Sequence, residues 1–208
     1  MMEKIFTKKL LPAVTLNDAD SAQRLAETYL DAGLDILEIT FRTDATLSSI
    51  EAIAKEFPSL KIGAGTILNT HQVAQAKNAG AQFGLSPGFN AEVVKAAQKK
   101  EFPFIPGIMT PSEIEVALST GCRVLKLFPA DISGGPEYIK SLEGPYQHTG
   151  MQLIPMGGIN PQNMKAYLGC SSVLAVGGSW MAPKDKIDAG DFSRIAQVIR
   201  ETRRNLHF

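Results

Sequence analysis

The sequence has few cysteines, no excess of either charge and no long hydrophobic run. Its two cysteines, Cys122 and Cys170, lie far apart without CxxC spacing, which argues against a disulfide framework or a cysteine metal site. Lys plus Arg and Asp plus Glu both number 21, so the basic excess typical of nucleic-acid-binding proteins is missing. No stretch approaches the roughly 18 apolar residues of a membrane span, and the N-terminus lacks a signal-peptide core. We therefore expect a cytoplasmic protein with neither a nucleic-acid nor a membrane partner.

Histidine is also scarce. His71, His148 and His207 fall in predicted helices or loops without the spacing of metal ligands, so we interpret them as surface residues and expect no bound metal. The chain length of 208 residues suits one good-sized core and is short for two domains. We therefore expect a single domain over residues 1–208.

Short apolar runs rich in β-branched residues recur about every 20 to 28 residues along the chain. They cover residues 10–16, 35–41, 61–67, 82–88, 102–108, 123–130, 152–159 and 172–179. Segments with a helical spacing of apolar residues lie between them, at 18–31, 45–57, 70–79, 91–100 and 111–119. Eight strands that alternate with helices in about 200 residues predict an α/β fold, a single-domain (β/α)8 or TIM barrel. A doubly wound open sheet is the alternative, but no GxGxxG motif follows the first run.

The unusual residues of seven runs lie near the C-terminal end of the run. They are Glu38, Thr66, Ser86-Pro87, Pro106-Gly107, Lys126, Gly157-Gly158 and Gly177-Gly178. In a TIM barrel, the C-terminal strand ends and the loops after them form the active face. The shared position of these residues therefore favours a functional site on that face.

Lys126 is the sharpest single signal. Side chains alternate along a strand, so Lys126 shares a face with Val124 and Phe128 and points into the predicted barrel. Lysine is rarely buried unless it is paired or functional. Burial disfavours the ammonium form, which leaves a neutral amine free to attack a carbonyl carbon. The alternatives are a lysine that extends from a strand end to solvent, or a structural ion pair.

Glu38 points inward by the same alternation, on one face with Thr40 and with Arg42 just past the strand end. A carboxylate near a lysine can move protons during imine chemistry. The alternative is a structural ion pair of Glu38 with Arg42 or with Lys126.

Two glycine-rich segments end the last two runs. Glycine lets backbone N–H groups approach an anion closely, and the loops after strands seven and eight form the recurrent phosphate site of TIM barrels. The candidate phosphate-binding residues are Gly157, Gly158, Gly178 and Ser179. The alternative is that these glycines only make tight turns.

Seven motifs lie in order between about Leu11 and Trp180. They are LEITFRT (37–43), GAGTIL (63–68), LSPGF (85–89), IPGIMTPSE (105–113), KLFPA (126–130), the GGI of PMGGI (155–159) and GGSW (177–180). Together they resemble the 2-keto-3-deoxy-6-phosphogluconate (KDPG) aldolase family, which includes 2-keto-3-deoxy-6-phosphogalactonate and 4-hydroxy-2-oxoglutarate aldolases. The resemblance implies a class I aldolase without metal or cofactor, usually a homotrimer, whose substrate is a small phosphorylated keto acid.

The resemblance also implies roles for individual residues. Lys126 matches the family's Schiff-base lysine, and Glu38 matches its general acid/base. Arg42 and Thr66 match residues that hold the pyruvate carboxylate.

The remaining implied roles concern the pocket walls. Pro87 and Phe128 match groups that line the keto-acid pocket, and Gly157, Gly158 and Ser179 match the phosphate-binding segment. One position departs from the family pattern, because Met156 replaces the threonine that commonly precedes GGI. This departure leaves the sugar stereochemistry open. Two other functions remain as alternatives: a non-covalent phosphosugar epimerase or isomerase, and a non-catalytic phosphosugar-binding protein.

Overall fold

The structure is a computed structural model that describes residues 2–206, apart from the side chain of Glu3. Each of the eight predicted runs contains strand residues. The strands are β1 (Leu10–Val14), β2 (Ile36–Thr40), β3 (Lys61–Gly65), β4 (Phe83–Leu85), β5 (Phe104–Ile105), β6 (Gly107–Ile108), β7 (Val124–Leu127), β8 (Gln152–Pro155) and β9 (Val176–Gly178). The predicted α/β alternation is therefore confirmed.

Helices separate most of the strands. They are α1 (Ala19–Asp31), α2 (Thr46–Glu56), α3 (Thr70–Asn78), α4 (Ala91–Lys99), α5 (Pro111–Ser119), α6 (Gly135–Tyr146), α7 (Met164–Leu168), α8 (Lys184–Asp188) and α9 (Phe192–Arg204). Short 3-10 helices occupy Met2–Lys4 and Gln147–Thr149. The five predicted helices are confirmed to within one residue at each end. In the described part of the chain, no helix is both long and apolar enough to cross a membrane.

All strand pairs are parallel, and they form two sheets. The larger sheet has the order β5-β4-β3-β2-β1-β9, and the smaller has the order β6-β7-β8. Pro106 divides the predicted run 102–108 into β5 and β6, because proline has no N–H to donate to a sheet. Isolated parallel bridges, Leu153 with Val173 and Met156 with Gly177, join the smaller sheet to the segment that contains β9.

The strands are buried on both faces, as expected for parallel sheets covered by helices. Every residue of β2 and β7 is buried. Leu37 and Ile39 on β2, like Leu125 and Leu127 on β7, are fully buried. Glu38 and Lys126 alternate with these leucines and isoleucine, so the pleat places the two charged side chains together on the opposite face.

Local capping fixes where the helices begin. Asp18, Asn69 and Asn90 accept backbone N–H groups at the starts of α1, α3 and α4. Thr110 and Glu113 form a complete capping box at α5. Although burial raises the pKa of Glu113, hydrogen bonds from the Met109 and Thr110 backbone and the Thr110 hydroxyl lower it below its ordinary value.

Candidate active site

The site is a cavity of about 400 Å³ at the C-terminal ends of the strands. Loops or strand ends from β1, β2, β7, β8 and β9 surround it. Most of the predicted site residues line it: Glu38, Arg42, Lys126, Phe128, Gly157, Gly158, Gly178 and Ser179. Segments far apart in the sequence therefore meet at one end of the parallel strands, as their late positions in the runs predict.

Lys126 and Glu38 form the polar centre of this cavity. The Lys126 Nζ lies 3.7 Å from Oε1 of Glu38, and the two side chains are 8% and 1% exposed. Neither carboxylate oxygen of Glu38 accepts a hydrogen bond from the described residues. A distance of 3.7 Å exceeds that of a hydrogen bond, so the two groups attract each other electrostatically but do not form a hydrogen bond. A buried carboxylate with free acceptor capacity beside an amine is suited to exchanging protons with a third group.

The ring of Phe128 forms the wall next to the amine. Its centroid lies 5.2 Å from the Lys126 Nζ, within the range of a cation–π contact. Phe128 follows β7 and is joined to Pro129 by a cis peptide bond. Lys126 thus lies between an aromatic ring and a carboxylate, and its side chain lines the cavity.

Gly65 creates the space that the carboxylate occupies. It lies on β3 beside β2, where Glu38 pairs with Gly63 and Thr40 pairs with Gly65. A Cβ atom added at Gly65 would lie 1.8 Å from Oε1 of Glu38. Only glycine therefore fits at this position. Gly65 is a missed functional residue, although the glycine in GAGTIL is a visible signal because glycine inside a strand marks a close approach.

Thr66 and Pro87 are the two predicted site residues that do not line the cavity. Thr66 follows Gly65 at the end of β3 and has a φ of 59°, a left-handed conformation that is uncommon for threonine. The backbone of Pro87 packs against Gly107, where a Cβ atom would lie 2.2 Å from the Pro87 carbonyl carbon. Thr66 thus follows the strand that pairs with the strand of Glu38, and Pro87 packs against Gly107, which pairs with Lys126.

The glycine segments after β8 and at β9 also line the cavity. Gly157 and Gly158 have φ values of 87° and 85°, which L side chains rarely adopt. The space beside Gly158 is filled by Asp131, whose Cβ would lie 2.2 Å from an added Cβ. The Asp131 amide also donates to the Gly157 carbonyl at 3.0 Å. The loop after β7 therefore fixes the glycine turn in place.

Three polar residues that line the cavity were not predicted as site residues from the sequence. Thr15 and Thr40 line it with their hydroxyl oxygens 2.8 Å apart. Lys184 reaches it from the start of α8, and its Nζ donates to Asp188 at 2.5 Å. Thr40 was placed on the inward face, but Thr15 and Lys184 follow strand ends without a motif. Their positions depend on loop geometry that sequence patterns do not encode.

Metal ligation has no candidate site among residues 2–206, since no group of three His, Cys, Asp or Glu side chains is placed to hold an ion. His71 and His148 do not line the cavity. The expected surface position of His207 lies outside the described residues.

A buried lysine beside a buried carboxylate, at the C-terminal edge of parallel strands, defines an enzyme that works through a lysine imine. The chain belongs to the KDPG and KHG aldolase family, whose family model matches residues 1–198. It is therefore a lyase of the class I aldolase type, as the motifs predict.

Individual relatives agree with this assignment. The chain is 40% identical to the KHG/KDPG aldolase of Escherichia coli strain K12 over 195 residues, which cover 94% of this chain and 91% of the relative. It is 41% identical to the 2-dehydro-3-deoxy-phosphogluconate aldolase of Treponema pallidum over 202 residues, 97% and 95% of the two chains. A crystal structure of KDPG aldolase from Legionella pneumophila, with pyruvate captured as a covalent carbinolamine intermediate, superposes with a TM-score of 0.93 at 33% identity and covers 97% of this chain and 98% of that one.

Proposed function

We propose that this protein cleaves 2-keto-3-deoxy-6-phosphogluconate into pyruvate and glyceraldehyde 3-phosphate through a Schiff base on Lys126. The observation that carries the proposal is the buried Lys126–Glu38 pair at 3.7 Å, open to the cavity and without a closed hydrogen bond. A structural ion pair would be expected to close and to satisfy its remaining acceptors, because burying two charges is costly otherwise. Relatives that are named as 2-dehydro-3-deoxy-phosphogluconate aldolases give further support.

The first half of the reaction forms the imine. The neutral Lys126 amine attacks the ketone carbon and gives a carbinolamine, and Glu38 moves protons, directly or through water, as water is lost. The resulting iminium accepts electrons from the neighbouring bond. No separate electrophile is needed for this step.

The second half breaks the carbon–carbon bond. Glu38 removes the proton of the hydroxyl two carbons from the iminium carbon, the bond between the intervening carbon and the hydroxyl-bearing carbon breaks, and the aldehyde leaves. The enamine of pyruvate is then protonated, and water hydrolyses the imine to release pyruvate and the free Lys126 amine. The carboxylate 3.7 Å from the amine is placed to serve both halves.

The two ends of the cavity suit the two ends of the substrate. Arg42 and Thr66 are proposed to hold the keto-acid carboxylate, with Arg42 at the exposed rim and Thr66 beside Gly65. Pro87 and Phe128 are proposed as the walls of the keto-acid pocket. An aromatic ring 5.2 Å from the amine supports the second of these roles.

The phosphate is proposed to bind at Gly157, Gly158, Gly178 and Ser179, of which Gly157 and Gly158 have the left-handed conformation that favours glycine. Lys184 also lines the cavity, with its amine paired to Asp188. Met156 also lines the cavity and offers no hydroxyl to the sugar, so 2-keto-3-deoxy-6-phosphogalactonate and 4-hydroxy-2-oxoglutarate are the alternative substrates.

Three further proposals concern the whole molecule, which we expect to act in the cytoplasm. Residues 1–208 form one domain, in which the two sheets close into an eight-stranded barrel. Continuity of β5 and β6 through Pro106, and the Met156–Gly177 bridge, support closure.

We also propose a homotrimer. Exposed Leu68, Met109 and Ile132, on loops after β3, β6 and β7, support a subunit interface. Light scattering of the purified protein tests it, and a monomeric mass would contradict it.

Borohydride reduction in the presence of pyruvate tests the mechanism. The peptide that contains Lys126 should gain the mass of reduced pyruvate, whereas Lys126→Arg, which keeps the charge, should gain none. Glu38→Gln should slow pyruvate release from the substrate while some adduct still forms. Release of an isomerised sugar without an adduct would favour the epimerase alternative, and an adduct on another lysine would contradict the proposal.

A further inference from the structure

Thr15 and Thr40 form a pair of hydroxyl groups in the wall of the cavity. Thr40 is on β2, two residues after Glu38 and on the same face, and is 3% exposed. Thr15 follows β1 directly. Both residues line the cavity, and their Oγ1 atoms lie 2.8 Å apart.

By distance alone either hydroxyl could be the donor, and counting protons favours one direction. The Thr40 hydroxyl has one hydrogen, and it lies 3.0 Å from the carbonyl oxygen of buried Val14, which can only accept. If Thr40 donates to Val14, the bond between the threonines must carry the hydrogen of Thr15. The chain of donors then runs from Thr15 to Thr40 to the Val14 carbonyl, and each bond strengthens the next.

This direction leaves Thr15 without a hydrogen for the cavity. Its Oγ1 keeps a free lone pair there, so it can accept a hydrogen bond but cannot donate one. A carboxylate or a phosphate dianion brings no hydrogen to such an acceptor, whereas an alcohol does. The partner that Thr15 fits is therefore a hydroxyl group of the ligand.

Resting on the proposed function, we infer that Thr15 is a specificity-determining residue that accepts a hydrogen bond from a hydroxyl on the aldehyde half of the substrate. Met156 lines the same cavity with a thioether, which offers no hydroxyl group to a ligand. The Thr15–Thr40 pair supplies a polar contact from another strand. Thr40 is a positioning residue, since it fixes the hydrogen of Thr15 without needing to touch the ligand.

The test uses the reverse reaction, in which pyruvate condenses with an added aldehyde. D-glyceraldehyde, L-glyceraldehyde and propanal are compared, because propanal lacks both hydroxyl groups. The measured quantity is the ratio of kcat/KM for each glyceraldehyde to that for propanal. In Thr15→Val, which keeps the side-chain shape, the ratio for at least one glyceraldehyde should fall about three- to tenfold, the loss expected for one hydrogen bond.

Matched variants separate recognition from a structural effect. Thr15→Ser keeps the acceptor and should keep the ratio, and Thr40→Val should lower the ratio because the Thr15 hydrogen is no longer held. Thr28→Val is the control: it removes a hydroxyl that donates to the Arg24 carbonyl within α1, away from the cavity, and should leave the ratio unchanged. Thermal unfolding of each variant identifies any that fail to fold.

An unchanged ratio in Thr15→Val would overturn the inference. It would do so whether kcat/KM stays the same or falls equally for all three aldehydes, as a purely structural role would produce. If the parent protein condenses pyruvate with none of the aldehydes and forms no borohydride adduct, the proposed function fails, and this inference fails with it. Normal condensation with an unchanged ratio overturns the inference alone.

Discussion

Replacement of Gly65 by alanine should slow turnover about 100-fold by displacing the Glu38 carboxylate. The added methyl group would lie 1.8 Å from Oε1, 2.6 Å from Cδ and 2.7 Å from Cγ of Glu38. Such atoms do not approach closer than 3.0 Å, so the carboxylate oxygen must move by at least about 1.2 Å. A displacement of about 1 Å in a catalytic group can lower the rate by about two orders of magnitude.

The assay measures pyruvate release per folded molecule, together with borohydride trapping of pyruvate. The three atoms nearest the new methyl group all belong to Glu38 and none to Lys126, so the imine should still be trapped, although more slowly. Folded protein is quantified by urea denaturation, because overpacking also destabilises a core by roughly 1–3 kcal/mol.

Gly63→Ala on the same strand is the matched control for overpacking. Its added methyl group would meet the Phe83 ring at 2.3 Å and not a catalytic side chain. This variant should lose stability but keep most of its turnover per folded molecule. Full turnover in folded Gly65→Ala, or an equal loss in both variants, would refute the view that Gly65 exists to accommodate the carboxylate.

Further predictions concern the proposed phosphate-binding residues and the stability of the fold. Lys184→Ala should raise KM for a phosphorylated keto acid about three- to tenfold, whereas Lys186→Ala should not; equal KM values would exclude a role for Lys184. Gly158 has a φ of +85°, so Gly158→Ala should raise KM for phosphorylated substrates by more than about tenfold in steady-state assays. Borohydride trapping of pyruvate should be unaffected. Glu113→Gln should lower stability at pH 7 by roughly 0.5–1 kcal/mol in urea titrations. Because the pKa of Glu113 is lowered in the folded state, that difference should vanish as the pH falls through it; a constant difference would contradict the assignment.

The sequence predicted the parts of the fold that repeat a local pattern. The alternation of side-chain direction at Glu38 and Lys126, and capping at Thr110, are encoded within a few neighbouring residues, and the structure has them as expected. The division of the sheet at Pro106 was visible as a proline inside a run but was not used. Proline removes a backbone donor, so this feature was readable in principle.

The walls of the site were less predictable. Thr15 directly follows β1 and Lys184 begins α8, so neither was identified, because no strand periodicity fixes the direction of either side chain. Thr66 and Pro87 were expected at the cavity from the family resemblance, yet neither lines it. Such contacts depend on the distances between residues of different loops, and these distances cannot be derived from a single sequence.

The pairing of β1 with β9 has a consequence for synthesis of the chain. Leu10 and Pro12 pair with Val176 and Gly178, so the second strand that pairs with β1 is the last strand of the described residues to be synthesised. Until it emerges from the ribosome, one edge of β1 stays open to wrong partners, and the part of the cavity wall formed by Gly178 and Ser179 is missing. A nascent chain that stops before Val176 should therefore be prone to aggregation, and a phosphorylated ligand should stabilise only the finished protein.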